Sequence, residues 1–168
     1  MTTEIDLAYI AGLMDGEAYI GIKKSPAYKC QDRQTPGYHA RIQIRMVNEA
    51  AIKFIAETLG GWYYQEKPRA TNRRVLYCYQ ASDLSVETIL YKLLQFLRVK
   101  QESAKTVLRL RELQKGSAKY RTKITGYRDF PNQYGAIRKV ANKSFSDEYV
   151  QLCESLYQRC KTLNHTGI

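Results

Sequence analysis

Residues 10–18 read Ile10-Ala11-Gly12-Leu13-Met14-Asp15-Gly16-Glu17-Ala18. The preceding Asp6 is an expected N-cap, LAYIAGLM is a strong helical run, and Gly16 is an expected terminator, so a helix is predicted over residues 6–15. Its residues are apolar almost all round, which predicts burial. Ala8, Ala11 and Gly12 form a strip of small side chains along which a second helix could approach closely. Two acids, Asp15 and Glu17, close the segment.

Outward from this helix the pattern changes period. AYIGIKKS (18–25) alternates as a strand does, with Ile20 and Ile22 on one face and Tyr19, Gly21 and Lys23 on the other. A turn-rich stretch containing Pro26 and Pro36 follows, then HARIQIRMV (39–47), with Ile42, Ile44 and Met46 opposite Arg41, Gln43 and Arg45. Asn48 should cap a helix, EAAIKFIAETL, that stops at Gly60-Gly61. WYYQEK (62–67) and RRVLYCYQA (73–81) are two further strands, with a loop around Pro68 to Asn72 between them. A helix from Ser82 or Asp83 carries Leu84, Ile89, Leu90, Leu93, Leu94 and Leu97. Another spans Gln101 to Lys115, and a last one runs from Ser146, its expected cap, to Leu163. The order α-β-β-α-β-β-α with further helix predicts an α+β fold, an antiparallel sheet covered on one side by helices.

The 168 residues carry a net charge of +11 and a pI near 9.5, a balance that attracts polyanions. Between Lys115 and Lys143 lie eight basic residues and one acid, Asp129, interleaved with Tyr120, Tyr127, Phe130 and Tyr134. That composition suits contacts to a phosphate backbone, with Lys119 and Lys139 as representatives. On the sheet's polar face, guanidinium and amide groups at two-residue spacing match base edges in a major groove: arginine pairs with guanine and glutamine with adenine. Cys30, Cys78, Cys153 and Cys160 have no CxxC pairing, and His39 and His165 are far apart, which argues against zinc. No apolar run is long enough to span a membrane, and the acidic start MTTEIDLAYI does not read as a targeting peptide.

The stretch 10–18 resembles the nine-residue signature of the LAGLIDADG homing endonucleases. Ala11, Gly12, Leu13 and Asp15 match as they stand; Ile10 and Met14 are apolar replacements. Gly16 stands in place of Ala, Glu17 in place of the second Asp, and Ala18 in place of the final Gly. The order of elements over roughly residues 5–115 agrees as well, and the closing helix ending in TLNH is similar to the C-terminal part of short, single-motif members. The resemblance implies one domain over residues 1–168, with a core at about 5–115 and basic loops and a closing helix at about 116–168. Its sheet would be saddle-shaped.

Further implications concern function. Two signature helices pack about a twofold axis in this family, and this chain has one signature, so a homodimer is implied, with Ala8, Ala11, Gly12 and Asp15 at its interface and a near-palindromic DNA target. Glu17, with Gly16, would hold Mg²⁺, with Ca²⁺ or Mn²⁺ able to take its place. Lys100 would supply charge at the scissile phosphate, with Arg98 as the alternative if the register shifts by two. The implied activity is hydrolysis of both DNA strands across the minor groove. Where the family often places Gln after the second strand, this chain has Arg45-Met46-Val47-Asn48, leaving Arg45 or Asn48 for that role. The implied DNA readers are Tyr19, Lys23 and Ser25; His39, Arg41, Gln43 and Arg45; Gln65 and Lys67; and, on the fourth strand, Arg74 and Gln80 rather than the set Val75, Tyr77 and Tyr79. Two other functions share this fold: a DNA-binding regulator without cleavage, and a maturase that binds intron RNA. Family habit implies an organellar (chloroplast or mitochondrial) or microbial cytoplasmic setting.

Overall fold

The structure is a computed structural model, and it describes residues 2–27, 35–67, 74–122, 127–131, 137–141 and 144–165. Helix α1 spans Glu4–Glu17, longer at both ends than its sequence signals. Thr3, not Asp6, is the N-cap: its hydroxyl accepts the Asp6 N–H, and the Asp6 carboxylate accepts the Thr3 N–H in return at 2.9 Å. Asp6 thus serves as the acid three residues into a capping box. Gly16 does not stop the helix. The helix is also not buried all round, because Ile10, Ala11 and Met14 are inside while Ile5 and Tyr9 face solvent.

Four strands follow the sequence periodicity: β1 (Ala18–Ser25), β2 (Gly37–Met46), β3 (Trp62–Gln65) and β4 (Tyr77–Ser82). They form one antiparallel sheet in the order β1-β2-β4-β3. Between β2 and β3 lies α2 (Glu49–Leu59), capped by the Asn48 side chain, which accepts the Ala51 N–H at 3.1 Å. It leaves through Gly60 and Gly61, whose φ values of 81° and 106° suit only glycine without strain. Strand β4 is shorter than the run 73–81 promised; residues 74–76 lie outside it, though the Glu66 N–H still reaches the Leu76 carbonyl. Helix α3 (Leu84–Leu93) starts after Asp83, and Leu84, expected among its apolar positions, is exposed. Then come α4 (Gln101–Lys115) and, after a short 3₁₀ turn at Ser117–Tyr120, a two-stranded hairpin of β5 (Tyr127–Pro131) and β6 (Ile137–Ala141) inside the basic region read as loops. The last helix, α5 (Asp147–His165), has Ser146 before it, whose hydroxyl accepts the Tyr149 N–H.

The inner face of the sheet (Ile20, Ile22, Tyr38, Ala40, Ile42, Ile44, Tyr79, Ala81) packs with buried residues of α1–α5 into one hydrophobic cluster. Buried aliphatic side chains of this kind each contribute about 1.5–3 kcal/mol. Strand β1 lies at the sheet's edge, and α5 lies along it, with Asn164 Nδ2 donating to the Ile20 carbonyl at 3.0 Å. The helix therefore covers this edge and occupies the Ile20 carbonyl, which an open edge would offer to another strand. Among the described residues no helix is long and apolar enough to cross a membrane.

Candidate functional site

The end of α1 is clasped by the segment leading into α4. The Asp15 carboxylate accepts the backbone N–H of Arg98 at 2.7 Å and of Lys100 at 2.8 Å. In exchange, the Lys100 ammonium donates to the carbonyls of Met14 at 3.0 Å and Asp15 at 2.8 Å. The last carbonyls of a helix lack internal partners and carry partial negative charge. No basic residue lies in the last turn of α1 itself, so Lys100 supplies the missing cation. Burial lowers the Lys100 pKa below the ordinary lysine range, while the charges of Asp15 and then Glu17 act against that shift. Glu17 is exposed. Together with Asp15, Gly16, Tyr19, Lys100 and Asn164 it lines a cleft of about 410 Å³.

Lys100 and Arg98 are thereby distinguished, since Lys100 lines the cleft and Arg98 contributes only its backbone to the clasp. Neither residue considered for the solvent-holding role lines it. Asn48 is spent on capping α2, and Arg45 Nε pairs with Glu66 at 2.6 Å. The polar groups found there instead are Tyr19 and Asn164, the second delivered from the far end of the chain.

The outward face of the sheet follows from its register. Tyr19, Gln43, Gln80 and Trp62 form one row across the four strands; Gly21, Arg41 and Ser82 form the next; Lys23 opposes His39; and Arg45, Cys78 and Tyr64 form another. Cys78 and Gln80 of β4 therefore point outward and Tyr77 and Tyr79 inward. Gln65 opposes Tyr77 and so has the other parity from Tyr64, yet it is exposed at the end of β3. Trp62 and Tyr64 take the outward positions on β3, their rings 5.3 Å apart. Lys67 and Arg74 are exposed beyond the strand ends.

Most of the outward side chains are already tied together. Arg41 Nη2 donates to Gln80 Oε1 at 2.6 Å, Gln43 Nε2 to Cys78 Sγ at 3.2 Å, and His39 Nδ1 lies 3.1 Å from Asp83 Oδ2. Ser25 Oγ donates to the Gly37 carbonyl at 3.4 Å. Tyr19 folds back over Gly21, its hydroxyl donating to the Ile22 carbonyl at 3.1 Å. A Cβ on Gly21 would come within 2.5 Å of that hydroxyl, so glycine here makes room for the ring. Burial raises the Tyr19 pKa. A groove of about 670 Å³ runs along this face, lined by Tyr19, Lys23, Arg41, Gln43, Arg45 and, from α5, Lys161. Away from it, Lys119 sits 4.8 Å from the Tyr120 ring centroid, and Lys139 is exposed on β6.

The expected interface residues divide. Ala8 and Gly12 are exposed on the same side of α1 as Ile5, Tyr9 and Gly16. Ala11 is fully buried in the chain's own core and cannot meet a second copy, which corrects its assignment. The carboxylate of Asp15 is committed to the Arg98 and Lys100 backbone. Among the described residues no group of three or more His, Cys, Asp or Glu could hold a metal ion within one chain.

Compared by sequence, the chain matches no family model and no curated protein. Compared by structure, it matches the homing endonuclease I-CvuI, solved in complex with DNA targets in the presence of Mg or Ca, with a TM-score of 0.62, 17% identity, and coverage of 95% of this chain and 82% of that one. The archaeal intron-encoded homing endonuclease I-Vdi141I, complexed with DNA, aligns with a TM-score of 0.54 and 15% identity over 67% of this chain and 70% of its own. The LAGLIDADG homing endonuclease I-LtrWI, bound to target DNA, gives 0.52 and 17% over 67% and 38%. The chain has the LAGLIDADG homing endonuclease fold.

Proposed function

We propose that the protein is a site-specific DNA endonuclease that works as a homodimer and cuts both strands of a long, near-palindromic target across the minor groove. One observation carries this reading: an exposed carboxylate, Glu17, and a partly buried ammonium, Lys100, share a cleft at the end of the signature helix, beside a basic, amide-rich sheet face. The likeness to DNA-bound homing endonucleases supports it.

The donor set suits a hard divalent cation when two copies combine. One chain offers the Glu17 carboxylate and the carbonyl of Gly16, oxygens of the kind Mg²⁺ prefers, and a second copy would double them. Such a cation lowers the pKa of an attacking water and offsets charge on the leaving 3′ oxygen; Ca²⁺ or Mn²⁺ could take the same place. The chain's own residues do the rest. Exposed Ala8 and Gly12 let the α1 backbones approach, bringing the two Glu17 carboxylates close to the axis. Lys100, held by three contacts with α1, keeps its charge oriented toward the cleft, where a phosphate gains negative charge as its bond to the 3′ oxygen breaks. Arg41, Gln43, Arg45 and Gln80 read bases, and Trp62 and Tyr64 extend that face on β3. Lys119 and Lys139 attract the backbone.

The test is incubation of the protein and Mg²⁺ with a randomised double-stranded DNA library, beside Glu17→Gln. Site-specific double-strand cleavage that the variant loses while it still binds supports the proposal. Binding without cleavage would replace it with a regulator, and preference for structured intron RNA with a maturase.

A further inference from the structure

Cys78 is anomalous for a buried thiol. It is wholly inaccessible, yet it stands outside the hydrophobic cluster that fills the opposite face of the sheet. The register explains why: Cys78 opposes Arg45 on β2 and Tyr64 on β3, all on the outward face. Those side chains cover it, along with Gln43, whose amide donates to the sulfur at 3.2 Å. Arg45 and Tyr64 flank the same thiol directly in register, one on each neighbouring strand, and the thiol itself reaches the Tyr79 carbonyl at 3.7 Å. Arg45 is held by the contact of its Nε with Glu66 at 2.6 Å.

We infer that Cys78 is a specificity-determining positioning residue: it accepts the Gln43 amide and fills the space between Arg45 and Tyr64, and so sets the orientation in which these side chains meet the bases. This rests on the DNA-reading face proposed above. A sulfur, larger and more polarisable than oxygen, can accept the Gln43 amide while its bulk packs against the flanking side chains. Arginine reads guanine through a bidentate fork, which has to be aimed. With one buried side chain bonded to Gln43 and seated opposite Arg45, the base preferences at their two positions are coupled. Cys78 itself touches no base.

The test has two arms. In the first, iodoacetamide labelling is followed peptide by peptide, with buried Cys153 and Cys160 as internal references. In the wild type Cys78 labels as slowly as they do; in Arg45→Ala it alone labels faster. Unchanged labelling would overturn the inference. In the second arm, preferred sites are selected from a randomised duplex library with the wild type, Cys78→Ala, Cys78→Ser, Gln43→Ala and Arg45→Ala. Cys78→Ala is expected to lower discrimination about tenfold at the positions that Gln43→Ala and Arg45→Ala also relax, while Cys78→Ser, which keeps a hydrogen-bonding atom, retains most of it. Binding to non-specific DNA, which depends on phosphate contacts, should stay unchanged and so exclude unfolding as the cause. An unaltered site preference in Cys78→Ala, with Gln43→Ala and Arg45→Ala relaxed, would overturn the inference alone. If those two controls relax nothing, the reading face itself fails and takes the inference with it.

Discussion

Replacing Gly12 by Leu should move folding and assembly in opposite directions. A Cβ built at Gly12 meets nothing within 4 Å, so the isolated chain accepts the new side chain without a clash. Glycine inside a helix costs roughly 0.5–1 kcal/mol relative to a good helix former, and Gly12→Leu should recover about that much in the monomer. At a twofold interface the same side chain enters twice. Forcing extra methylenes into a close-packed contact costs about 1–3 kcal/mol each time, so the dimer should weaken by about 2–6 kcal/mol. That corresponds to roughly 30-fold to 20,000-fold in the dissociation constant. Thermal unfolding at a dilution where the wild type is monomeric should give an equal or higher Tm for the variant. Sedimentation across a concentration series should show it failing to dimerise. A variant that associates as tightly as the wild type would refute the placement of Gly12 between two copies.

Three further outcomes follow from the clasp and the C-terminal helix. Asp15→Ala deletes two charge-assisted bonds to the Arg98 and Lys100 backbone and should cost about 2–3 kcal/mol in urea unfolding, since bonds to a charged group each contribute roughly 1.5–3 kcal/mol and this one is partly solvated. Lys100 acts as a cation, and burial lowers its pKa, so cleavage should be full at lower pH and decline as pH rises through a value below the ordinary lysine pKa near ~10.4; Lys100→Arg should remove that limb from the pH–rate profile. Glu154 is held near pKa 2, down from 4.5, by hydrogen bonds from Lys24, Tyr38 and Gln158. Its stabilisation is present above pH 4.5 and lost as pH falls toward 2, so acid titration of Glu154→Gln should show a shallower loss of Tm across that window than the wild type.

The sequence disclosed faces best where one strand carries two unlike sets of side chains. Strand β2 alternates isoleucine with arginine and glutamine over enough residues to fix its parity, and the structure keeps that parity throughout. Strand β3 has aromatic residues on both faces and spans only Trp62–Gln65, so alternation does not fix its parity. In α1 the ambiguity was rotational. A helix apolar on every side does not reveal which small residues face inward, and Ala11 lies in the core while Gly12, one position and about 100° onward, faces solvent. Thr3 and Asp6 both carry capping chemistry, and only the reciprocal bond tells cap from capping-box acid. The clasp of Asp15 on Arg98 and Lys100, the approach of Asn164 to the cleft and the bond from Gln43 to Cys78 join residues distant in the chain, and no local pattern announces them.

Everything proposed for the chemistry depends on two copies of α1 delivering their Glu17 carboxylates to one duplex. Native mass spectrometry of the protein bound to its selected DNA site measures that stoichiometry directly. Two chains per duplex is the predicted result; a stable, cleavage-competent complex with a single chain would contradict it.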